Sequence, residues 1–201
     1  APLPRPAGIT NGTVSDAAGN TGTGTGALTA NTIGSNNTAT GYGTLFVNTT
    51  GGYSVATGYA ALMANTTGSG NVASGYGALY TNITGSRNTA TGSVALFMNT
   101  EGDQNTATGY EALRENTTGN YNTATGFQAL RSNTSGSNNT AVGYLAGDNF
   151  SAGSNNTLLG SQTDTSSNGA TNEIVIGVGA TGKGDNTAVI GDASAISADP
   201  P

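Results

Sequence analysis

The chain contains neither cysteine nor histidine. That excludes disulfides, thiolate nucleophiles, imidazole bases and most zinc sites together. Charge is scarce as well: 8% of residues are charged, with five Lys plus Arg against eleven Asp plus Glu. A net charge of −6 with so few cations speaks against nucleic acid, whose phosphates are neutralised by clustered Lys and Arg. No apolar run approaches the ~18 residues that cross a bilayer as a helix. Proline is confined to the first six residues and the last two. The opening "APLPRPAG" lacks the basic and apolar stretch of a signal peptide and resembles the mature end left by cleavage. The absence of cysteine fits a secreted, bacterial-type surface protein, so the expected location is extracellular or at the cell surface.

What is present is glycine, asparagine and threonine in strict phase. Gly is 33 of 201 residues, a bias that suggests disorder until the low net charge and the phased apolar residues are considered. "NTATGYEALRENTTG" (105–119) looks at first like a glycine loop entering a helix. It is one tile of a repeat. Gly24, Gly41, Gly58, Gly75, Gly92, Gly109, Gly126, Gly143, Gly160 and Gly177 fall at every seventeenth position. Leucine follows four places after seven of them, from Leu28 to Leu130, and asparagine seven places after, from Asn31 to Asn133. A second glycine lies ten places on, from Gly34 to Gly153. The unbroken register predicts a solenoid over residues 20–192, with an N-terminal extension (1–19) and a C-terminal tail (193–201).

The segment before each glycine reads NTAT, SVAT, NVAS or NTAV, and later "NTLL" and "EIVI". Short runs of Thr, Val and Ile between Asn and Gly are strand-like. Identical phase in every tile predicts parallel, in-register strands about 4.8 Å apart, hence a rod of about ten coils and roughly 45–50 Å. The fold class is therefore all-β or mainly β, a parallel β-solenoid (β-roll). Each strand sets Thr or Val on one face and an unbroken alanine column, Ala39 to Ala141, on the other. That column predicts a closely approaching backbone. The return half reads "YEALREN" and "FQALRSN" in some coils and "YGTLFVN" in others, which predicts one firm strand per coil and a short helical or irregular return. From residue 151 the return loses its "YxAL" signature, and the last coil is shortened, Gly191 following Gly177 by only fourteen places. Each coil offers about one Leu and one aromatic, a thin core, so association with further copies is expected.

"NNTAVG" (138–143), "NEIVIG" (172–177) and "NTAVIG" (186–191) resemble the Asn-Ser-Val-Ala-Ile-Gly motif of trimeric autotransporter adhesin heads. The 17-residue "NTAxGYxALxxNTTGxx" tile is similar to repeats of long secreted, phage-tail-fibre-like proteins, which often end in an endosialidase-type chaperone. The likeness covers about residues 20–192. It implies parallel β-rolls standing three side by side that bind host or matrix surfaces. The tile is longer than in those heads, and no coiled-coil stalk, membrane anchor or chaperone is visible, so anchoring and trimerisation rest on the resemblance alone.

Several residue sets invite sharper readings. Thr38/Thr40, Thr89/Thr91, Thr106/Thr108 and Thr123/Thr125 form Thr-x-Thr pairs that would order water if presented on a flat face, an ice-binding reading. The same face drifts through Val55, Val72 and Val142 to Ile174 and Ile176, which predicts that it is buried or pressed on a neighbour. The Asn/Thr-rich turns offer candidate glycosylation sites at Asn48, Asn65, Asn82, Asn88, Asn105, Asn116 and Asn133, against the plainer reading of stacked turn asparagines. Phe46, Met63, Tyr80 and Phe97, which share a column with Arg114 and Arg131, are candidate partner contacts. Asp103, Asp148, Asp164 and Asp185 recur at no fixed phase, so no metal is expected. Glu111 and Glu115 with Arg114 form the only close acid cluster and read as a solvated face. "GVGATGKGDN" (177–186) lacks phosphate-loop spacing. No catalytic residue and no cofactor are predicted. The expected function is an extracellular structural rod that self-associates, as a trimer or a head-to-tail filament bridged by residues 1–19, for adhesion or display. Its partners would be itself and host, matrix or surface glycans. Ice binding is the alternative, and a carbohydrate-binding or -degrading tail fibre the third reading.

Overall fold

A computed structural model describes residues 13–191 of the chain. Twelve three-residue strands form one sheet in chain order. They are β1 (Thr13–Ser15), β2 (Thr21–Thr23), β3 (Thr38–Thr40), β4 (Val55–Thr57), β5 (Val72–Ser74) and β6 (Thr89–Thr91). There follow β7 (Thr106–Thr108), β8 (Thr123–Thr125), β9 (Thr140–Val142), β10 (Thr157–Leu159), β11 (Ile174–Ile176) and β12 (Ala188–Ile190). From β2 to β12 every neighbouring pair is parallel. Ala39 faces Ala56 and Ala56 faces Ala73, so like residues lie over one another as the repeat requires. The chain is a parallel β-solenoid of about ten coils.

The first strand was not legible. Residues 13–19, assigned to the extension by their lack of a tile, supply β1 and its turn, and β1 runs antiparallel to β2. The Asp16 carboxylate holds that turn by accepting from the amides of Ala18 and Asn20 at 3.0 and 2.9 Å. Residues 1–12 and 192–201, including most of the expected extension and the tail, lie outside the described residues.

The interior of each coil is small. The middle residue of the strand points inward, and Ala39, Ala56, Ala73, Ala90, Ala107, Ala124 and Ala141 are all 0–1% exposed. They face the fully buried leucines Leu45 to Leu130 and a second alanine column, Ala61, Ala78, Ala95, Ala112, Ala129 and Ala146. The alanine column thus marks the close approach of the return path. At the C-terminal end Leu158 and Val175 take the alanine's place.

The return is irregular; no helix forms among the described residues. Helix formers are overruled by stacking. Glu111 and Leu113 have φ of 54° and 51°, in the left-handed region. Their amides leave the coil: Glu111 donates to the Ser93 carbonyl of the preceding coil at 3.1 Å, Leu113 to the Ala129 carbonyl of the next at 3.0 Å. Each coil satisfies its backbone by binding its neighbours, which an isolated helix would satisfy internally. A similar exchange closes the turn, where the amides of Thr100, Glu101 and Gly102 converge on the Thr117 carbonyl. At the corner, Gly109 has φ +134°, and a Cβ there would lie 2.3 Å from the Gly126 carbonyl oxygen. Only glycine fits.

Candidate functional site

Asparagine does its work inside the rod. Asn48, Asn65, Asn82, Asn99, Asn116 and Asn133 are all fully buried. Each side-chain amide donates to the Oδ1 of the asparagine one coil before, as Asn65 does to Asn48 at 2.7 Å, and to the carbonyl three residues on. A second ladder runs through Asn37, Ser54, Asn71, Asn88, Asn105, Asn122, Asn139 and Asn156. Here the side-chain oxygen accepts the backbone amide of the next member, as Asn88 Oδ1 does from Asn105 at 2.9 Å and Ser54 Oγ from Asn71 at 3.2 Å. This corrects the glycosylation candidates. Asn88 and Asn105 precede Thr-Ala and are not acceptor triplets, and the Nδ2 atoms of all seven are buried and already donating. A folded coil has no room for a sugar on them.

The first ladder stops where Phe150 replaces the next asparagine. Asn133 Oδ1 is left buried without a partner, while Phe150 fills the interior at 1% exposure. The second ladder ends in Glu173, also fully buried. Its carboxylate accepts from the amides of Ser166 and Gly184, each at 2.9 Å, and from the Ser166 hydroxyl. It thereby ties together two loops that have lost the tile. Nearby, burial raises Asp164 above its ordinary value, helped by the Glu173 charge and opposed by hydrogen bonds from Asn149 and Thr165. Asp148 is raised by burial and by the charge of Asp164. Among the described residues no three His, Cys, Asp or Glu side chains form a group able to hold a metal ion, and no helix is long and apolar enough to cross a membrane.

Two surfaces face outward along the rod. The first is the sheet itself. Its Thr-x-Thr pairs are not in the chain's own core: both threonines of β3 are exposed about a buried alanine, and in β6, β7 and β8 the first is half-buried and the second exposed. The face turns apolar toward the C-terminal end, with Val142 42%, Ile174 43% and Ile190 68% exposed. Burial within a single chain is therefore excluded for this face.

The second surface was missed, although its signal was in the sequence as tyrosine directly after the corner glycine. Tyr42, Tyr59 and Tyr76 stack with ring centroids 5.1 and 5.2 Å apart, and Tyr110, Phe127 and Tyr144 stack at 5.3 Å. All six are exposed. Serine interrupts the column at 93 and 161. The candidate partner contacts occupy a neighbouring column: Phe46 is exposed, Met63, Tyr80 and Phe97 are half-buried, and Tyr80 stacks on Phe97 at 5.0 Å.

The acid cluster is an ion-pair network across two coils. Arg131 Nε lies 2.9 Å from Glu111 Oε2, and Arg114 Nη1 lies 3.2 Å from Glu115 Oε1. Burial alone would raise Glu111, but hydrogen bonds from Gln128, Tyr110 and Arg131, with the Arg131 charge, hold it below its ordinary value. Its acids are paired with cations. No known family model, curated protein or solved structure matches the chain.

Proposed function

We propose that the chain is the structural rod of an extracellular fibre, associating with further copies of itself through the outward face of its sheet. The observation that carries this reading is the apolar column Val142, Leu159, Ile176 and Ile190 on the outward face of the sheet, exposed at Val142, Leu159 and Ile190, with exposed Ile174 in the column beside it. Monomeric proteins rarely leave such strips uncovered. The resemblance of residues 138–143, 172–177 and 186–191 to autotransporter head motifs favours three copies side by side. Adhesion or surface display, without chemistry of its own, is the role such a rod would serve.

Measuring the mass of the intact particle tests the assembly. Three chains of 19.6 kDa each are expected in one species, and Ile174→Lys with Ile190→Lys should disperse them to single chains. A native chain that stays single at every concentration would overturn the proposal; long fibres by negative-stain imaging would replace the trimer by end-to-end growth.

Ice binding is a second reading, favoured by one observation: the Thr pairs of β6, β7 and β8 lie on the outward face in columns one strand spacing apart. Thermal hysteresis at micromolar protein would support it. A freezing point unchanged by the protein would remove it.

A further inference from the structure

We propose that the gap in the aromatic column at Ser93 is a binding site for a pyranose ring of a glycan, held between the facing rings of Tyr76 and Tyr110. The inference goes beyond the assembly proposed above and does not depend on its symmetry.

Within a stacked column each ring covers the faces of its neighbours, so only edges remain for a ligand. Faces are free where the column breaks. At Ser161 the break has a ring on one side only, because Tyr144 is followed two coils later by Val178. At Ser93 it has a ring on both sides. Two steps of the 5.1–5.3 Å ring spacing set Tyr76 and Tyr110 about 10 Å apart. A ring at the midpoint would stand about 5 Å from each, within the separations at which rings attract one another. The gap has the height of one missing plate. A tyrosine there would add two stacking contacts to the rod, so serine is the less stabilising residue at this place.

The surroundings favour a sugar over a flat hydrocarbon ring. Tyr76 and Tyr110 are 57% and 46% exposed, so the rim of anything between them stays in water. A pyranose suits this arrangement, with C–H bonds toward the two faces and hydroxyls around its rim. One polar group stands at the gap: Ser93 leaves a hydroxyl-bearing side chain where the ring would stand. The Glu111 carboxylate follows Tyr110 in the chain but is committed to Gln128 at 2.6 Å and Arg131 at 2.9 Å in the next coil. Carbohydrate sites commonly combine apolar faces with a small number of polar groups.

The test is saturation-transfer NMR on the full chain in its native assembly, with chitohexaose, maltohexaose, cellohexaose and N-acetyltryptophanamide as separate probes. Tyrosine fluorescence, unobscured in the saccharide titrations because the chain has no tryptophan, gives a second readout for those probes. Transfer from the protein to ring C–H protons of at least one saccharide is expected. Ser93→Tyr should weaken that binding by roughly tenfold or more, and Ser161→Tyr should leave it unchanged. Tyr110→Leu, which removes one face and adds no bulk, should weaken it likewise and guards against misfolding of Ser93→Tyr. No transfer to any saccharide, or undiminished binding by both Ser93→Tyr and Tyr110→Leu, overturns the proposal. Transfer to N-acetyltryptophanamide alone also overturns it, giving the gap to an aromatic side chain. Particle mass recorded on the same samples separates failure of this site from failure of the assembly.

Discussion

The coils before residue 150 and those after it solve the same problem differently. In the first group, turn polarity is absorbed by repetition: ladder asparagines bind one another from coil to coil, Ser54 standing in once, and corner glycine rests on corner glycine. In the second group the columns run out. Asn133 has no acceptor-side partner, Phe150 plugs the interior, and Glu173 replaces a ladder asparagine with a carboxylate that three donors from two loops must satisfy. Stacking identical groups is self-satisfying, whereas ending the stack requires particular residues. The regular coils should therefore be intolerant of change at the corner glycines and buried ladder asparagines, and the terminal coils tolerant except at their few special side chains.

The strongest way to break this contrast is through glycine. Gly109→Ala forces a Cβ onto the Gly126 carbonyl at φ +134° and should cost on the order of 4 kcal/mol or more. Gly179, with φ +68° and nothing within 4 Å of a built Cβ, should cost only about 1–2 kcal/mol as alanine. Urea unfolding followed by circular dichroism measures both; equal costs would deny that stacking makes the difference.

The next effect is in the asparagine ladder. Asn99→Ala removes three hydrogen bonds, to Asn82, to Gly102 and from Asn116, and should cost about 3 kcal/mol. Asn133→Ala removes two and also the orphaned acceptor, so about 1–2 kcal/mol is expected. The same unfolding measurement decides it, and an Asn133→Ala chain as damaged as Asn99→Ala would remove the distinction.

Much of this contrast could be read in advance. Glycine at a constant interval specified the coil, and Thr-Ala-Thr before it specified the strand. The break at 150 showed in the loss of "YxAL". The return conformation did not show, because "YEALREN" has helical propensity and its amides are claimed by other coils, which no local reading contains. Nor did the outward direction of the Thr pairs: with Thr on one side of a three-residue strand and Ala on the other, pattern alone leaves open which faces water. The asparagines misled for a related reason, since the pattern Asn-x-Thr describes an acceptor only where the side chain is accessible. The gap at Ser93 was visible as a letter but has meaning only once the tyrosines are known to stack.

The smallest expected effect is with pH. Hydrogen bonds hold Glu111 low, so its contribution is present above the unfolded carboxylate value and is lost as pH falls through the folded one. Asp164 and Asp148 are held high, so their coils gain stability as pH falls through the folded values toward the unfolded ones. Amide hydrogen exchange resolved by segment, compared between neutral pH and a pH below the ordinary carboxylate range, should show protection falling around Glu111 and rising around Asp164. Parallel loss in both segments would contradict the opposed directions.

Apart from the ends, each strand pairs with its counterpart one repeat away. The molecule is thus a ruler graduated in whole repeats. Excising residues 59–75, or duplicating them, would bring corner to corner and ladder to ladder, and both outer faces would continue across the splice. The length of such a solenoid can change by duplication of a single stretch of DNA, with every other contact left as it was.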